Sequence, residues 1–326
     1  MFKTLSAMLP GGAEVRAPVA SPKRSGDVYP TLEGLARLRV DAKGFSLLPR
    51  QPVNSLLSGR HASRLRGRGL TFEELRDYRP GDDIRTIDWR ATARLRKTHV
   101  RVYTEERERP VLLVVDQRSN MFFGSARTTK ATAAAELAAL AAWASLDAGD
   151  RVGAIIFGDD EVVEVRPQRS RENVLRICHE LVRMNRKLSS SSRPLNAANL
   201  NEALRRAVNV ANHDFLIVLA TDYIGNNDET HRHATRLASH NDVLATLVYD
   251  PLGVSLPELA GADFTYGSRA ATVDVDSKVN ERFIEEFRRL SETIRTRLRA
   301  IRIPVLPICT HEPVAGQVMT ALGERR

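Results

Sequence analysis

Residues Val111–Val115 form an unbroken apolar run, Val-Leu-Leu-Val-Val, that ends on Asp116. Successive side chains of a β-strand point to opposite faces. A run without polar alternation must therefore be covered on both sides. That requirement excludes an antiparallel sheet with one wet face. It asks for helices above and below a mainly parallel sheet.

The sequence after residue 110 supplies the remaining layers. Lys130–Leu146 is Ala-rich and apolar nearly all round, as a helix buried against a sheet must be, with Gly149 as its stop. Val152–Phe157 predicts a second strand, turned at Asp159-Asp160 into Val162–Val165. Arg171–Met184 predicts an amphipathic helix, Ser189–Ser192 a polar loop, Leu200–Val210 a further helix and Phe215–Ala220 a third buried strand. Thr230–Ser239 reads as a helix and Val243–Tyr249 as a strand. Lys278–Ile301 reads as a long charged helix with Ser277 as its N-cap, and Val305–Ile308 as the closing strand. The fold class expected for residues 110–311 is α/β, a doubly wound, mainly parallel sheet. Residues 312–326 are expected to add a C-terminal helix and tail.

The first third differs in composition. The chain carries a formal charge of +9; residues 1–110 hold 22 Lys+Arg against 13 Asp+Glu, while residues 111–326 hold 27 of each. Residues 1–30, with Pro10, Pro18, Pro22 and Pro30, are expected to be a mobile tail. Residues 31–109 are expected to form a small Arg-rich domain, opening with a short helical pattern of Leu32, Leu35 and Leu38. Within it Arg64, Arg66, Arg68, Arg76, Arg79, Arg85, Arg90, Arg94 and Arg96 alternate with Glu73, Glu74, Asp77, Asp82, Asp83 and Asp88. Three roles stay open for this segment: a self-neutralising network that fixes turns, a surface that docks a protein, or a phosphate-binding face for nucleic acid. Phe72, Tyr78 and Trp89 are too few and too irregular for a base-stacking series.

Other classes find little support. Two cysteines, Cys178 and Cys309, make neither a disulfide framework nor a Cys-rich metal site, and a reducing cytoplasm is the expected compartment. The longest apolar stretch, Leu137–Ala144, is too short for a membrane span. Leu5–Leu9 is stopped by Pro10, so no secretory signal is expected. The chain contains no G-x-x-x-x-G-K-[ST] phosphate loop. His231 and His233 lie two apart on a helix and point to different sides, and His179 does not face Cys178. Ser119 and Ser125 have no local base. No enzyme activity and no cofactor are expected.

In an open parallel sheet, ligands bind beyond the carboxyl ends of the strands, where the strand order reverses. Asp116 follows one strand directly and Asp222 follows another after Thr221. Two bare carboxylates over one edge would repel, so they need a cation, either a metal or a side chain.

Here the residues carry a resemblance. Asp116-Gln117-Arg118-Ser119-Asn120-Met121 resembles the D-x-S-x-S motif that opens the metal-ion-dependent adhesion site of von Willebrand factor A domains. Upstream, Arg66-Gly67-Arg68-Gly69, Glu73, Arg76-Asp77-Tyr78, Arg79-Pro80-Gly81-Asp82-Asp83-Ile84-Arg85, Ile87-Asp88-Trp89 and Ala93-Arg94 resemble the hallmark of the bacterial "domain of unknown function 58" family. The resemblance implies a von Willebrand factor A-like domain preceded by a small β-rich one. It also implies an adaptor role beside a MoxR-type AAA+ ATPase, with no catalytic activity established for the family.

Three positions depart from the metal-site pattern. Arg118 and Asn120 stand where the motif has serines, and Ala198 stands where a threonine is expected. Mg²⁺ prefers six oxygen ligands, so these changes imply a degenerate, metal-free site. Arg118 is expected to supply the cation between Asp116 and Asp222; in the alternative it points to solvent and the carboxylates are hydrated. The expected function is a non-catalytic protein-interaction adaptor. Nucleic-acid binding through the basic first third is the alternative.

Overall fold

The computed structural model describes residues 28–43, 70–79, 82–105, 109–189, 195–257, 259–266 and 269–322. Most of the expected tail (residues 1–27), Arg64, Arg66, Arg68, Pro80, Gly81 and residues 190–192 of the polar loop lie outside these ranges. The chain divides into two units, residues 59–108 and the remainder. Helix α1, Leu32–Ala42, belongs to the larger unit although it precedes the smaller one in sequence.

The smaller unit is built on an antiparallel pair, β1 (Leu70–Asp77) with β2 (His99–Glu105). Between them run a 3₁₀ turn, Ile84–Thr86, and a short helix, α2 (Trp89–Leu95). Aspartates fix each turn. Asp83 caps the 3₁₀ turn through the Arg85 amide, and Asp88 caps α2 by accepting from the Arg90 and Ala91 amides. Asp82 takes the Arg76 guanidinium in a two-pronged pair at 3.0 and 2.9 Å and also accepts from the Arg79 amide. These contacts, Arg76 first, hold its carboxyl below the usual range. Asp88 also pairs with Arg101 at 2.9 Å. The α2 helix ends where Arg96 adopts a left-handed φ of 57°.

The larger unit is a six-stranded sheet in the order β10-β7-β6-β3-β4-β5. Its strands are β3 (Val111–Asp116), β4 (Val152–Phe157), β5 (Val162–Gln168), β6 (Leu216–Thr221), β7 (Asp242–Tyr249) and, after an outlying antiparallel pair β8 (Leu259–Tyr266) and β9 (Arg269–Val275), β10 (Val305–Cys309). Only β5 runs antiparallel to its neighbour within this sheet. The order reverses between β3 and β6, which places the switch point at their carboxyl ends. This is the mainly parallel, doubly wound sheet expected from Val111–Val115.

Alternation along β3 sorts its residues between two cores. Val111, Leu113 and Val115 pack with α1, α3 (Lys130–Asp147), α4 (Arg171–Asn185) and the last helix, Val314–Leu322. Leu112 and Val114 pack with α5 (Ala198–Val210), α6 (Asp228–Ala238) and α7 (Ser277–Ala300) on the opposite face. The last helix is α8.

Several expectations need correction. Residues 31–43 do not join the Arg-rich domain: α1 packs on α3, Leu35 is fully buried, and the Trp143 indole donates to the Leu35 carbonyl at 3.1 Å. Burying a leucine side chain contributes roughly 1.5–3 kcal/mol. Residues 28–30 are anchored to the same body. The Thr132 hydroxyl donates to the Val28 carbonyl at 2.7 Å, the Tyr29 hydroxyl donates to the Leu188 carbonyl at 2.9 Å, and the Tyr29 ring packs against Phe122. The N-cap of α7 is Asp276, which accepts from the Val279 amide at 2.7 Å; Ser277 is the first helical residue. Strands β8 and β9 carry Gly, Ala and Asp among few branched residues, a weak β signal, and no strand is expected there from sequence.

Candidate functional site

Each of the central parallel strands β3, β4, β6 and β7 is followed within two residues by a hydrogen-bonded aspartate, or ends on one. Asp116 closes β3, Asp159 follows β4, Asp222 follows β6 and Asp250 follows β7. Their carboxylates tie the loops of this edge together. Asp159 accepts from the Ser119 amide at 2.7 Å and the Asn196 amide at 2.9 Å. Asp250 accepts from the Ser125 and Leu252 amides, both at 2.9 Å, and from the Thr310 hydroxyl. Sequence reasoning singled out Asp116 and Asp222 and missed the structural roles of the other two. The shared signal was an acid within two residues of the end of each apolar run.

Asp116 and Arg118 form a closed pair, both 0% exposed. Arg118 Nε and Nη2 donate to the two oxygens of Asp116 at 3.0 and 2.6 Å, and the Arg118 amide adds a third bond at 3.0 Å. The Thr221 hydroxyl donates a fourth at 2.7 Å. The guanidinium also lies 5.3 Å over the Phe157 ring and donates to the Ile224 carbonyl at 3.1 Å. Burial pushes the Asp116 carboxyl above its usual range; Arg118 and Thr221 pull against that shift and the Asp222 charge adds to it. For Arg118, burial opposes the charge, but Asp116 outweighs it and holds the guanidinium more firmly protonated. The alternative in which Arg118 points to solvent is therefore overturned.

Asp222 is served by a different cation. Lys130 Nζ, at the start of α3, donates to one of its oxygens at 2.6 Å. The other oxygen accepts from Asn120 Nδ2 at 2.8 Å and the Ile224 amide at 3.0 Å. Burial alone would raise this carboxyl; Lys130, followed by the Ile224 amide and Asn120, more than reverses it and holds Asp222 below its usual range. The expectation that Arg118 bridges both acids is corrected: Arg118 pairs with Asp116 and Lys130 with Asp222. The Nε and Nη2 fork of Arg118 is taken by Asp116, and its Nη1 makes no hydrogen bond to Asp222.

The loop after β6 is shaped for this packing. Tyr223 adopts a left-handed φ of 61°, a costly backbone state for a bulky residue. Gly225 has φ +83°, and a Cβ there would lie 2.8 Å from the Ala197 side chain. Only glycine permits that approach. Ala198 is the first residue of α5, exposed, and offers no hydroxyl to the carboxylates.

These donors decide whether a divalent ion fits. Every oxygen of Asp116 and Asp222 already accepts from Arg118, Thr221, Lys130, Asn120 or the Ile224 amide. Two positive charges occupy the place an ion would take. The set does not fit Mg²⁺, which needs oxygen ligands at short distance. Among the described residues, no group of three His, Cys, Asp or Glu is placed to hold a metal. Burial pushes the Cys178 thiol up to about 12 and the Cys309 thiol up to about 11, far from a reactive thiolate.

The upstream motif residues lie in the smaller unit. Arg76, Tyr78, Arg79, Asp82, Asp83, Arg85, Asp88, Trp89 and Arg94 are described there; of Glu73 only the backbone, within β1, is described. No helix among the described residues is long and apolar enough to cross a membrane.

The chain is 26% identical over 294 residues to "Uncharacterized protein Rv1480" of Mycobacterium tuberculosis strain H37Rv, covering 89% of this chain and 90% of that one. Among solved structures it is similar to the conserved hypothetical protein BatB from Bacteroides thetaiotaomicron, at TM-score 0.39 and 12% identity over 66% of this chain and 98% of that one. It is also similar to the SpRpn10 VWA domain, at TM-score 0.35 and 11% identity over 67% of this chain and 97% of that one. The larger unit is an α/β fold on a mainly parallel six-stranded sheet, and the strands of a small antiparallel sheet precede it in sequence. The family model described as "Protein of unknown function DUF58" matches residues 74–297, and the chain belongs to that family.

Proposed function

We propose that this chain is a non-catalytic adaptor whose switch-point edge, around Asp116, Arg118, Asn120, Ala198 and Asp222, is a degenerate metal site that receives a protein partner. The observation that carries this reading is the saturation of both carboxylates by Arg118 and Lys130. An edge so arranged keeps its shape without an ion and leaves neither acid as a general base. A preorganised, rigid edge suits binding, because little conformational freedom is lost on contact.

The partner that the family resemblance implies is a MoxR-type AAA+ ATPase, with both proteins in the cytoplasm. The test is a direct binding measurement between the purified chain and a MoxR-type AAA+ ATPase of the same organism, with and without ATP. Binding that weakens on Asn120→Ala, an edge residue only partly buried, supports the reading. Absence of binding in both nucleotide states overturns it.

A further inference from the structure

Three aspartates of the smaller unit are engaged by its own turns and strands. Asp82 is held by Arg76, Asp88 by Arg101, and Asp83 by the backbone of the 3₁₀ turn. Arg85, Arg90, Arg94 and Arg96 are all exposed, and among the described residues none has a carboxylate within ion-pair reach. The self-neutralising network expected from sequence thus accounts for Arg76 and Arg101 and not for these four.

Large apolar side chains stand among the free arginines. Trp89 is 69% exposed and Ile84 66% exposed. At 3.6 residues per turn, Trp89 and Ala93 lie opposite the buried Ala91, with Arg90 and then Arg94 to one side of them, while Arg96 is the left-handed C-cap beyond the last turn. Ala93, one turn beyond Trp89, is too small to cover the indole.

The fold accounts for this face only in part, since Arg94 in the last turn of α2 suits the helix dipole. Arg90 and Arg94 are like charges at i and i+4, which destabilises a short helix. Arg90 also sits in the first turn, where the helix dipole disfavours a cation. An indole left in water gains nothing for the unit's own core. A bound acidic partner would reverse each of these costs.

We propose that Ile84–Arg96 is a docking surface for an acidic protein segment that carries aliphatic or aromatic side chains. Those side chains would lie against Trp89 and Ile84, and its carboxylates would pair with Arg85, Arg90, Arg94 and Arg96. Trp and Arg are the residues that most often carry interface energy. A nucleic acid would find only one exposed aromatic for stacking here, and Ile84 cannot stack. The proposal stands whether or not the switch-point edge binds an ATPase.

The chain carries its own reporter. Of its two tryptophans, Trp89 faces solvent and Trp143 is 1% exposed. The full-length protein would be titrated with three probes: a synthetic peptide alternating glutamate with leucine, a glutamate-only peptide of equal charge, and single-stranded oligouridylate. The expected result is a blue shift of Trp89 emission with the mixed peptide, at an affinity about tenfold or more above the glutamate-only peptide. Trp89→Ala should remove the signal. Arg90→Glu with Arg94→Glu, both at exposed positions, should weaken binding about tenfold or more while Trp143 emission stays that of the folded parent. Equal binding of the glutamate-only peptide, tighter binding of oligouridylate, or no response to the mixed peptide would each overturn the proposal. Asn120→Ala leaves this titration unchanged, so failure here is distinguishable from failure at the switch-point edge.

Discussion

Lys130 and Asp222 are ninety-two residues apart in sequence and 2.6 Å apart in space. Lys130 opens α3, a helix otherwise almost entirely apolar, and Asp222 follows the strand across the switch point. The contact fixes the start of α3 against the loop of β6. It also supplies the charge that Arg118, committed to Asp116, does not.

Removing that charge leaves a buried carboxylate uncompensated. Lys130→Met is expected to cost about 3–5 kcal/mol in urea unfolding. Adding Asp222→Asn should recover much of the loss, since the double variant buries no unpaired charge. A loss under about 1 kcal/mol for the single variant would mean that the pair behaves as an exposed one.

Arg118→Ala should be similarly costly, about 3–5 kcal/mol. Arg118→Lys should fall between, because an ammonium cannot make the two-pronged contact or lie flat over Phe157. If lysine restored full stability, the fork geometry would be irrelevant and only the charge would count.

Divalent ions should leave the melting temperature unchanged. Ligand binding raises Tm only when the folded state binds the ligand, and both carboxylates are already engaged. A rise with Mg²⁺ or Mn²⁺ that chelator reverses would contradict the metal-free site.

Acid sensitivity has a traceable contribution from Glu161. Arg183 and Lys187 hold its carboxyl at about 2, against an ordinary value of 4.5. Because the folded value is the lower one, the stabilisation is complete above pH 4.5 and is lost as pH falls toward 2. Glu161→Gln should flatten that part of the stability–pH curve and lower stability above pH 4.5, where the ionised carboxylate contributes fully. An unchanged acid limb would show that the pairs do not persist in solution.

Leu35→Ala tests whether α1 belongs to the core. The expected loss is about 2–5 kcal/mol by thermal or urea unfolding. A negligible loss would return α1 to the status of an appendage.

The strands were readable because two-sided burial demands continuous apolar, branched runs, and Val152–Phe157 matched residue for residue. Asp116 and Asp222 were readable for a related reason, since an acid that ends such a run must sit on the carboxyl edge. Lys130 was not, because a lysine opening an Ala-rich helix reads as an exposed first turn, and only the sheet order brings it to Asp222. The placement of α1 was equally hidden. Its amphipathic pattern showed that it must bury a face, and nothing in that pattern said against which unit.

With α1 in the larger unit, the smaller one is a guest within its host. The host includes α1, ends its first stretch at Ser58 and resumes at Arg109 just before β3. It follows that trimming the chain from its amino terminus strips Leu35 from the host before it reaches the guest. Cutting out residues 59–108 and sealing the gap with a flexible linker would remove the basic surface and spare the sheet that carries Asp116.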